Sequence, residues 1–590
     1  MADNVYDAIV IGSGISGGWA AKELTEKGLK TIMLERGRNI EHIKDYVNAT
    51  KAPWEFAHRG GRTQQMIKDY PVLKRDYPLS ETNLDYWASD KDSPYTEVKR
   101  FDWFRGYHLG GRSLMWGRQS YRWSDFDFEA NAKEGWAIDW PVRYADIAPW
   151  YDHVEKFAGI SGSLEHLAQL PDGQFMPAMD MTIVEKDVAA RIKEHYKGQR
   201  AMIIGRTANI TLPLEGRPGC QFRNRCALGC PFGGYFSTQS STLPAAMKTG
   251  NLTVRPWSIV TKILYDKDKK KATGVEILDG ENNKTYTYYA KIIFLNASTL
   301  NSAWILMNSA TDIWPDGLGS SSGELGHNIM DHHLGVGASG TMEGYEDHYY
   351  FGRRANGVYV PRYRNLFGDK RDYQRGFGYQ GGGARGGYTH SAEEVSIGAD
   401  LKDALSEPGH WSMNLGGFGE TLPYHENKIY IDKNLYSDQL ELFKDPVTGK
   451  DLGMRPVLDP KNGKPKTDKW GLNVLAFEVE YKDNEKKMRK DMQADAIEML
   501  EAAGVKNVKG RDGDGTLGRG IHEMGSARMG ADPKTSVLNK WNQVWDAPNV
   551  FVTDGSFMVS SNCVNPSLSY MAFTARAADH AVSELKKMNL

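Results

Sequence analysis

Apolar positions along the chain follow three successive patterns. At the start, Asp7-Ala-Ile-Val-Ile-Gly12 is a short continuous apolar run that stops at glycine, the pattern of a parallel strand buried on both faces. Gly12-Ser13-Gly14-Ile15-Ser16-Gly17 follows, and the spacing then predicts an amphipathic helix from Gly18 to about Lys27. A second apolar run, Lys30–Leu34, ends in Glu35. Between Asn251 and Asn296 four strand-like segments recur, with the charged Asp266–Lys271 as a solvated turn between two of them. Ala297–Ser302 opens a helix with small and capping residues suited to a nearby phosphate. From about Leu334 to Tyr481 the pattern changes. Strand-like segments such as His410–Leu415 and Lys428–Asp432 alternate with loops rich in Gly, Tyr and Arg, and Gly381–Gly387 reads as a flexible, narrow stretch. Asp483–Ala503, ended by Gly504, and Ser569–Lys587 are predicted helices.

A chain of 590 residues exceeds the size at which one core keeps growing, so at least two lobes are expected. The predicted fold class is α/β: a doubly wound, Rossmann-type dinucleotide-binding domain plus an α+β substrate domain on a mostly antiparallel sheet. The turn glycines at 12, 14 and 17 supply a tight bend and close backbone approach at a helix N-terminus. Glu35, about 20 residues on, supplies the acceptor for a ribose hydroxyl. The fingerprint alone does not separate FAD from NAD; its place at the start of a long chain favours FAD. Residues 40 to 100, polar and aromatic with weak periodicity, are expected to be loops and short helices over the cofactor.

Net charge is −2, from 73 basic and 75 acidic residues, which gives no reason to expect a nucleic-acid or acidic-membrane partner. No apolar run is long enough to predict a membrane-spanning helix, and no signal-peptide pattern opens the chain. The 16 Trp and 29 Tyr fit a sugar-stacking cleft or equally a large core. Trp123, Trp136, Trp140 and Trp150 are more simply read as packing between lobes.

Four segments carry candidate chemistry. Gly106–Gly117, with the pair Gly110-Gly111, lets backbone amides approach a flat ring. Cys220, Cys226 and Cys230, among Gly and Arg, form a loop able to wrap an iron–sulfur cluster, with Arg223 and Arg225 expected to offset its charge. Reduced thiols or one local disulfide are the plainer alternatives, and a four-cysteine zinc site lacks its fourth ligand. Asp331-His332-His333 is a poor metal site, because adjacent strand residues point to opposite faces. Finally, Gly520–Gly530, Val552–Gly555 and Asn562–Pro566 gather a titratable ring, a strand ending in Asp-Gly and an amide before proline. His522 is the expected general base, because a neutral imidazole suits proton removal near pH 7. Asn565 is expected to hold the same hydroxyl in position, and Cys563 to be a packing residue.

These segments, in this order, resemble the glucose–methanol–choline (GMC) oxidoreductases, FAD enzymes acting on alcohols and sugars. The likeness runs through Gly12–Gly17 with Glu35, the Gly110-Gly111 segment, Ala297–Ser302, Leu325–His332 and the His522 and Asn565 motifs. It implies a discontinuous FAD domain of residues 1–45, 100–125, 215–333 and 508–590, including the cysteine loop 219–234. Residues 126–214 and 334–507 would form the substrate domain, and 46–99 cofactor-covering loops. Cofactor contacts are expected from Gly12, Gly14, Ile15, Ser16, Gly17, Glu35, Arg36, Gly110, Gly111, Ser113, Met115, Trp116, Gly117, Val260, Ala297, Asp554, Gly555, Asn565 and Pro566. Met115 stands where several members carry the histidine that binds FAD covalently, so non-covalent FAD is expected.

The C-x5-C-x3-C spacing resembles the bacterial sugar-dehydrogenase branch, whose cysteines hold a [3Fe-4S] cluster. That resemblance implies oxidation of a sugar or glycoside ring hydroxyl, C3 of glucosides being the first choice. It also implies electron exit to a cytochrome or quinone, and periplasmic placement by a small export subunit, with cytoplasmic placement as the alternative. Gln380, Arg385 and Glu420 are the candidate substrate contacts. The alternatives are a cluster-free, oxygen-using pyranose-type oxidase and a non-catalytic flavin electron-relay subunit.

Overall fold

The computed structural model describes residues 4–349, 352, 354–387, 397–406, 408–446, 448–513 and 515–590. The apolar run after Asn4 forms the strand Val5–Ile11, which pairs in parallel with Thr31–Leu34 on one side and Thr285–Leu295 on the other. Leu252–Arg255 and Ala547–Val552 extend the sheet in parallel at either flank, and Ser258–Asp266 and Lys271–Asp279 add an antiparallel hairpin. The central residues Ala8, Ile9, Val10, Ile32, Met33 and Phe294 are buried, which explains a continuous rather than alternating pattern. Val5–Ile11 lies between its sequence neighbour and a strand from the middle of the chain, so the turn after it opens at the switch point where α/β sheets bind ligands.

The helix behind that turn spans Ile15–Glu26 and so begins three residues before the predicted start. Gly17 is inside it, packed so closely that a Cβ there would stand 2.0 Å from the Gly12 carbonyl oxygen. The last helix, Ser567–Lys586, begins directly after Pro566 and packs beside the first.

A second, antiparallel sheet has the order Lys506–Asp512, Val336–Met342, Trp411–Gly419, Phe377–Arg385, Val358–Val360, Ile203–Ile204. One face is covered by the helix Asp483–Ala502 through Met488, Met492, Ala496 and Met499. The other face carries Gly416, Phe418 and Gln380 toward the first sheet. Gly381–Gly387 departs from expectation: Gly381 to Arg385 continue a central strand. Its glycines reflect close approach, since a Cβ on Gly381 would lie 2.0 Å from the Asn414 carbonyl oxygen. Lys428–Ile431 leaves this sheet and pairs with Leu475–Glu478 in a separate one that includes Thr96–Glu97. Trp123 and Trp140 are buried and meet edge to face at 5.5 Å, with the Trp140 indole donating to Ser560 at 2.8 Å. They are packing residues.

Candidate active site

A cavity of about 820 Å³ opens between the two sheets, within the usual size range for ligand pockets. All the cofactor contacts expected from sequence line it except Gly17, Gly110 and Pro566. Those three act one step back. Gly17 packs against Gly12, and Gly110 leaves room for Gln239, whose amide a Cβ would meet at 2.2 Å. Pro566 caps the helix whose first residue, Ser567, lines the cavity.

The walls fit a flavin dinucleotide. The helix Ile15–Glu26 has Gly14 at its cap, no side-chain cap hydrogen bond and no acid in its first turn, so its free N–H groups remain available to a diphosphate. Nothing lies within 4 Å of the position a Cβ on Gly14 would take, whereas one on Gly12 would meet the Asn296 carbonyl oxygen at 2.4 Å. Glu35 accepts the N–H groups of Ser13 at 3.1 Å and Gly37 at 2.9 Å, and burial pushes its carboxyl above the ordinary range. The helix Thr299–Asn308 offers a second uncapped start, with Ala297 and Ser298 on the cavity wall. Asp554 accepts the Ser302 hydroxyl at 2.5 Å and the Ser556 N–H at 3.0 Å, with burial again raising its carboxyl.

At the other end, four side chains form a line. Gln380 Nε2 donates to Asn565 Oδ1 at 2.5 Å, Asn565 Nδ2 faces His522 Nε2 at 3.2 Å, and His522 Nδ1 faces His332 Nδ1 at 2.9 Å. Burial pushes the His522 imidazole well below 6.5, with the His332 and Arg112 charges acting the same way. His332 falls to about 4 for the same first reason, burial, so both rings are neutral at pH 7. Two neutral rings sharing an Nδ1 pair need one donor and one acceptor. The Asn565 amide decides between them: its Oδ1 takes the Gln380 donor, so its Nδ2 donates to His522 Nε2, and His522 Nδ1 carries the proton that His332 Nδ1 accepts. His522 is then the Nδ1–H tautomer with a lone pair on Nε2, the atom that receives the Asn565 amide.

Asp331 holds the backbone of this loop. Its carboxylate accepts N–H groups from His332 at 2.8 Å, Gly518 at 2.8 Å, Gly520 at 3.0 Å and His522 at 2.9 Å. Burial, then the neighbouring Glu523 charge, raises its pKa to about 7. Sequence reasoning weighed Asp331 and His332 only as metal ligands. Their place in the Leu325–His332 segment, which carries the family likeness, was the signal for a second role.

Of the three candidate substrate contacts, only Gln380 reaches the cavity. Arg385 is five residues further along the strand, hence on the opposite face, and donates to the Tyr345 carbonyl at 2.9 Å. Glu420 is buried and ion-paired with Arg362 at 2.8 Å.

The cysteine loop also differs from expectation. Cys220, Cys226 and Cys230 are half-buried free thiols, and among the described residues no three His, Cys, Asp or Glu side chains form a metal-binding group. The three thiols therefore give the cluster no support from their geometry. Arg223 and Arg225 donate to the backbone carbonyls of Ala49 and Lys51. The loop still abuts the cavity through Ala227, and Tyr235 bridges the Cys226 and Leu114 carbonyls. Cys563 is buried beside Tyr359, as expected of a packing residue.

Known proteins agree with this geometry. GMC oxidoreductase family models match residues 6–334 and 463–574. The chain is 27% identical to 2-methyl-1,2-propanediol dehydrogenase of Mycolicibacterium austroafricanum, covering 97% of this chain and 94% of that protein. It is 24% identical to the fructose dehydrogenase large subunit of Gluconobacter japonicus, over 98% of both. A formate oxidase crystal structure shares the fold at a TM-score of 0.59 and 13% identity, over the full length of both chains. With its two sheets closing on a flavin-shaped cavity and a neutral imidazole at the far end, the chain belongs to the GMC oxidoreductase family, FAD-dependent enzymes that oxidise CH–OH groups.

Proposed function

We propose that this chain is an FAD-dependent dehydrogenase that oxidises a ring hydroxyl of a sugar or glycoside, C3 of glucosides first, to a ketone. The observation that carries the reading is the line Gln380–Asn565–His522–His332, which puts the one lone pair of His522 on Nε2 at the cavity wall, where a substrate hydroxyl takes the place of the Asn565 amide as its partner. A substrate hydroxyl gives its proton to that nitrogen as the C–H bond breaks. Gln380, by donating to Asn565 Oδ1, turns the Asn565 amide donors toward the same hydroxyl oxygen and limits its orientation. Bound FAD supplies the two-electron oxidant, held by the first-helix N-terminus, Glu35 and Asp554. Met115 in place of a linking histidine supports non-covalent attachment.

The name of the fructose dehydrogenase relative supports the sugar class, whereas that of the propanediol dehydrogenase relative points to a simpler alcohol. An anaerobic panel of glucosides, hexoses and simple alcohols, followed at the flavin absorbance, tests it. Bleaching by ring-hydroxyl sugars is expected, and bleaching by simple alcohols alone would overturn the sugar reading.

Electron exit to a cytochrome or quinone through a three-iron cluster, and a small export subunit giving periplasmic placement, rest on the resemblance of the C-x5-C-x3-C loop alone. Low-temperature EPR of the purified protein reads an oxidised three-iron cluster directly; a silent spectrum with rapid peroxide formation favours the oxidase reading.

A further inference from the structure

Six arginines line the catalytic cavity: Arg36, Arg105, Arg112, Arg118, Arg511 and Arg519. Four have a carboxylate partner. Arg36 pairs with Asp468 at 2.9 Å, Arg105 with Asp90 at 3.0 Å, Arg112 with Glu523 at 2.6 Å and Arg519 with Asp76 at 2.6 Å. Arg118 donates to the Trp116 carbonyl and lies 5.5 Å from the Tyr235 ring, on the side of the cysteine loop. Arg511 alone brings an unneutralised charge to the substrate sheet. Among the described residues it has no carboxylate partner, and its guanidinium donates to the Leu415 carbonyl at 3.3 Å.

Its placement is built into the sheet register. Arg511 pairs with Gly337, Gly337 with Gly416, and Gly416 with Gln380, so the four residues form one row across four strands. The two glycines between the ends of the row have no side chains in the way. The Arg511 side chain lies across them, with Nη2 3.3 Å from the point a Cβ on Gly416 would occupy. At the other end of the row, Gln380 donates to Asn565, the partner of His522. A cation thus stands one strand from the group that orients the reacting hydroxyl. The cavity acids cannot answer it, since Asp76 and Glu523 are paired with other arginines and Glu35 and Asp554 lie in the nucleotide portion.

We propose that Arg511 is a specificity-determining residue that binds a carboxylate of the substrate, so that the preferred substrate is a sugar acid or a glycoside bearing one. This rests on the sugar-hydroxyl reading above. A guanidinium presents a planar fork to a carboxylate, and a charge-assisted hydrogen bond of this kind is stronger than one to a neutral hydroxyl.

The test uses the holoenzyme and two substrates that differ only at C6, methyl β-D-glucuronide and methyl β-D-glucoside, compared by anaerobic flavin reduction. The uronide is expected to have a kcat/KM about 10–100-fold higher, the effect of one hydrogen bond to a charged group. R511Q should erase that preference through KM for the uronide, R511K should retain part of it, and added salt should weaken it in the wild type. Equal rates for the two sugars, preference for the glucoside, or an equal loss of both in R511Q would overturn the assignment. If neither sugar reduces the flavin, the sugar-hydroxyl reading fails instead. The charge assignment is then read separately from D-glucuronate binding, followed by the flavin spectrum: about tenfold weaker binding in R511Q supports it, and unchanged binding overturns it.

Discussion

His332 and His522 share a hydrogen bond between their Nδ1 atoms at 2.9 Å, and this contact decides which nitrogen of His522 is left for the substrate. Removing the His332 acceptor frees His522 to take the other tautomer, with its proton on Nε2, where a lone pair is needed. His332→Ala should therefore slow flavin reduction by about 10–100-fold, less than loss of the base itself. Stopped-flow reduction across pH checks it. A role in tautomer selection predicts a lower plateau and a displaced acid limb, whereas simple loosening of the loop would lower the plateau alone.

His522→Ala removes the proton acceptor. The reductive half-reaction should fall by about 10²–10⁴-fold, the usual share of general base catalysis, while the flavin stays bound because its nucleotide contacts lie elsewhere. Single-turnover absorbance measurements check both. Reduction at near wild-type rate would remove His522 from the mechanism.

The pH dependence follows from the same burial. His522 is held well below 6.5, so the base is in its neutral, working form from pH 6.5 upward. Flavin reduction should be flat between pH 6.5 and 8 and decline only in more acidic solution. Asp331 acts on stability with the opposite sign. Its folded pKa is about 7 against an ordinary 3.8, so between those values the folded chain binds the extra proton. Its contribution is therefore greatest at acid pH and is lost as pH rises through 7. The difference in melting temperature between wild type and Asp331→Asn, measured from pH 4 to 8, isolates that slope.

Gly17→Ala should yield protein without flavin. The added Cβ would stand 2.0 Å from the Gly12 carbonyl oxygen, a distance that side chains do not tolerate, so the turn must shift away from the diphosphate site. The ratio of flavin to protein absorbance after purification measures this directly. Gly14→Ala, with open space at its Cβ, should fold yet still bind FAD less tightly.

Acid precipitation of the wild-type holoenzyme should release the flavin to the supernatant, because Met115 carries no group able to form the histidyl link. Yellow colour in the pellet would contradict this.

What the sequence revealed is what local spacing encodes. Gly12, Gly14, Gly17 and Glu35 announce a nucleotide turn because strand, glycine bend and helix are neighbours in the chain. The Gln380–Asn565 bond and the His332–His522 bond instead join residues 185 and 190 positions apart. No periodicity records such pairs, and the sequence does not separate Gln380 from Arg385 and Glu420, which face elsewhere. Composition points to flexibility at Gly381–Gly387, yet Gly381 to Arg385 lie in a strand whose partner comes too close to Gly381 for a side chain.

The four amides gathered by Asp331 have a consequence for how such enzymes diversify. Asp331 lies just before the strand Val336–Met342, and Gly518–His522 lie just after its antiparallel partner Lys506–Asp512. The polypeptide therefore leaves the catalytic floor and returns to it side by side, with one carboxylate stitching the two crossings together. The antiparallel sheet between them, including Gln380, can be exchanged while the base stays in register with the nucleotide half, whereas Asp468 and Phe477 are tied to Arg36 and Phe101 of that half. Swapping the segment between residues 336 and 419 among relatives is thus a route to new substrates on unchanged chemistry.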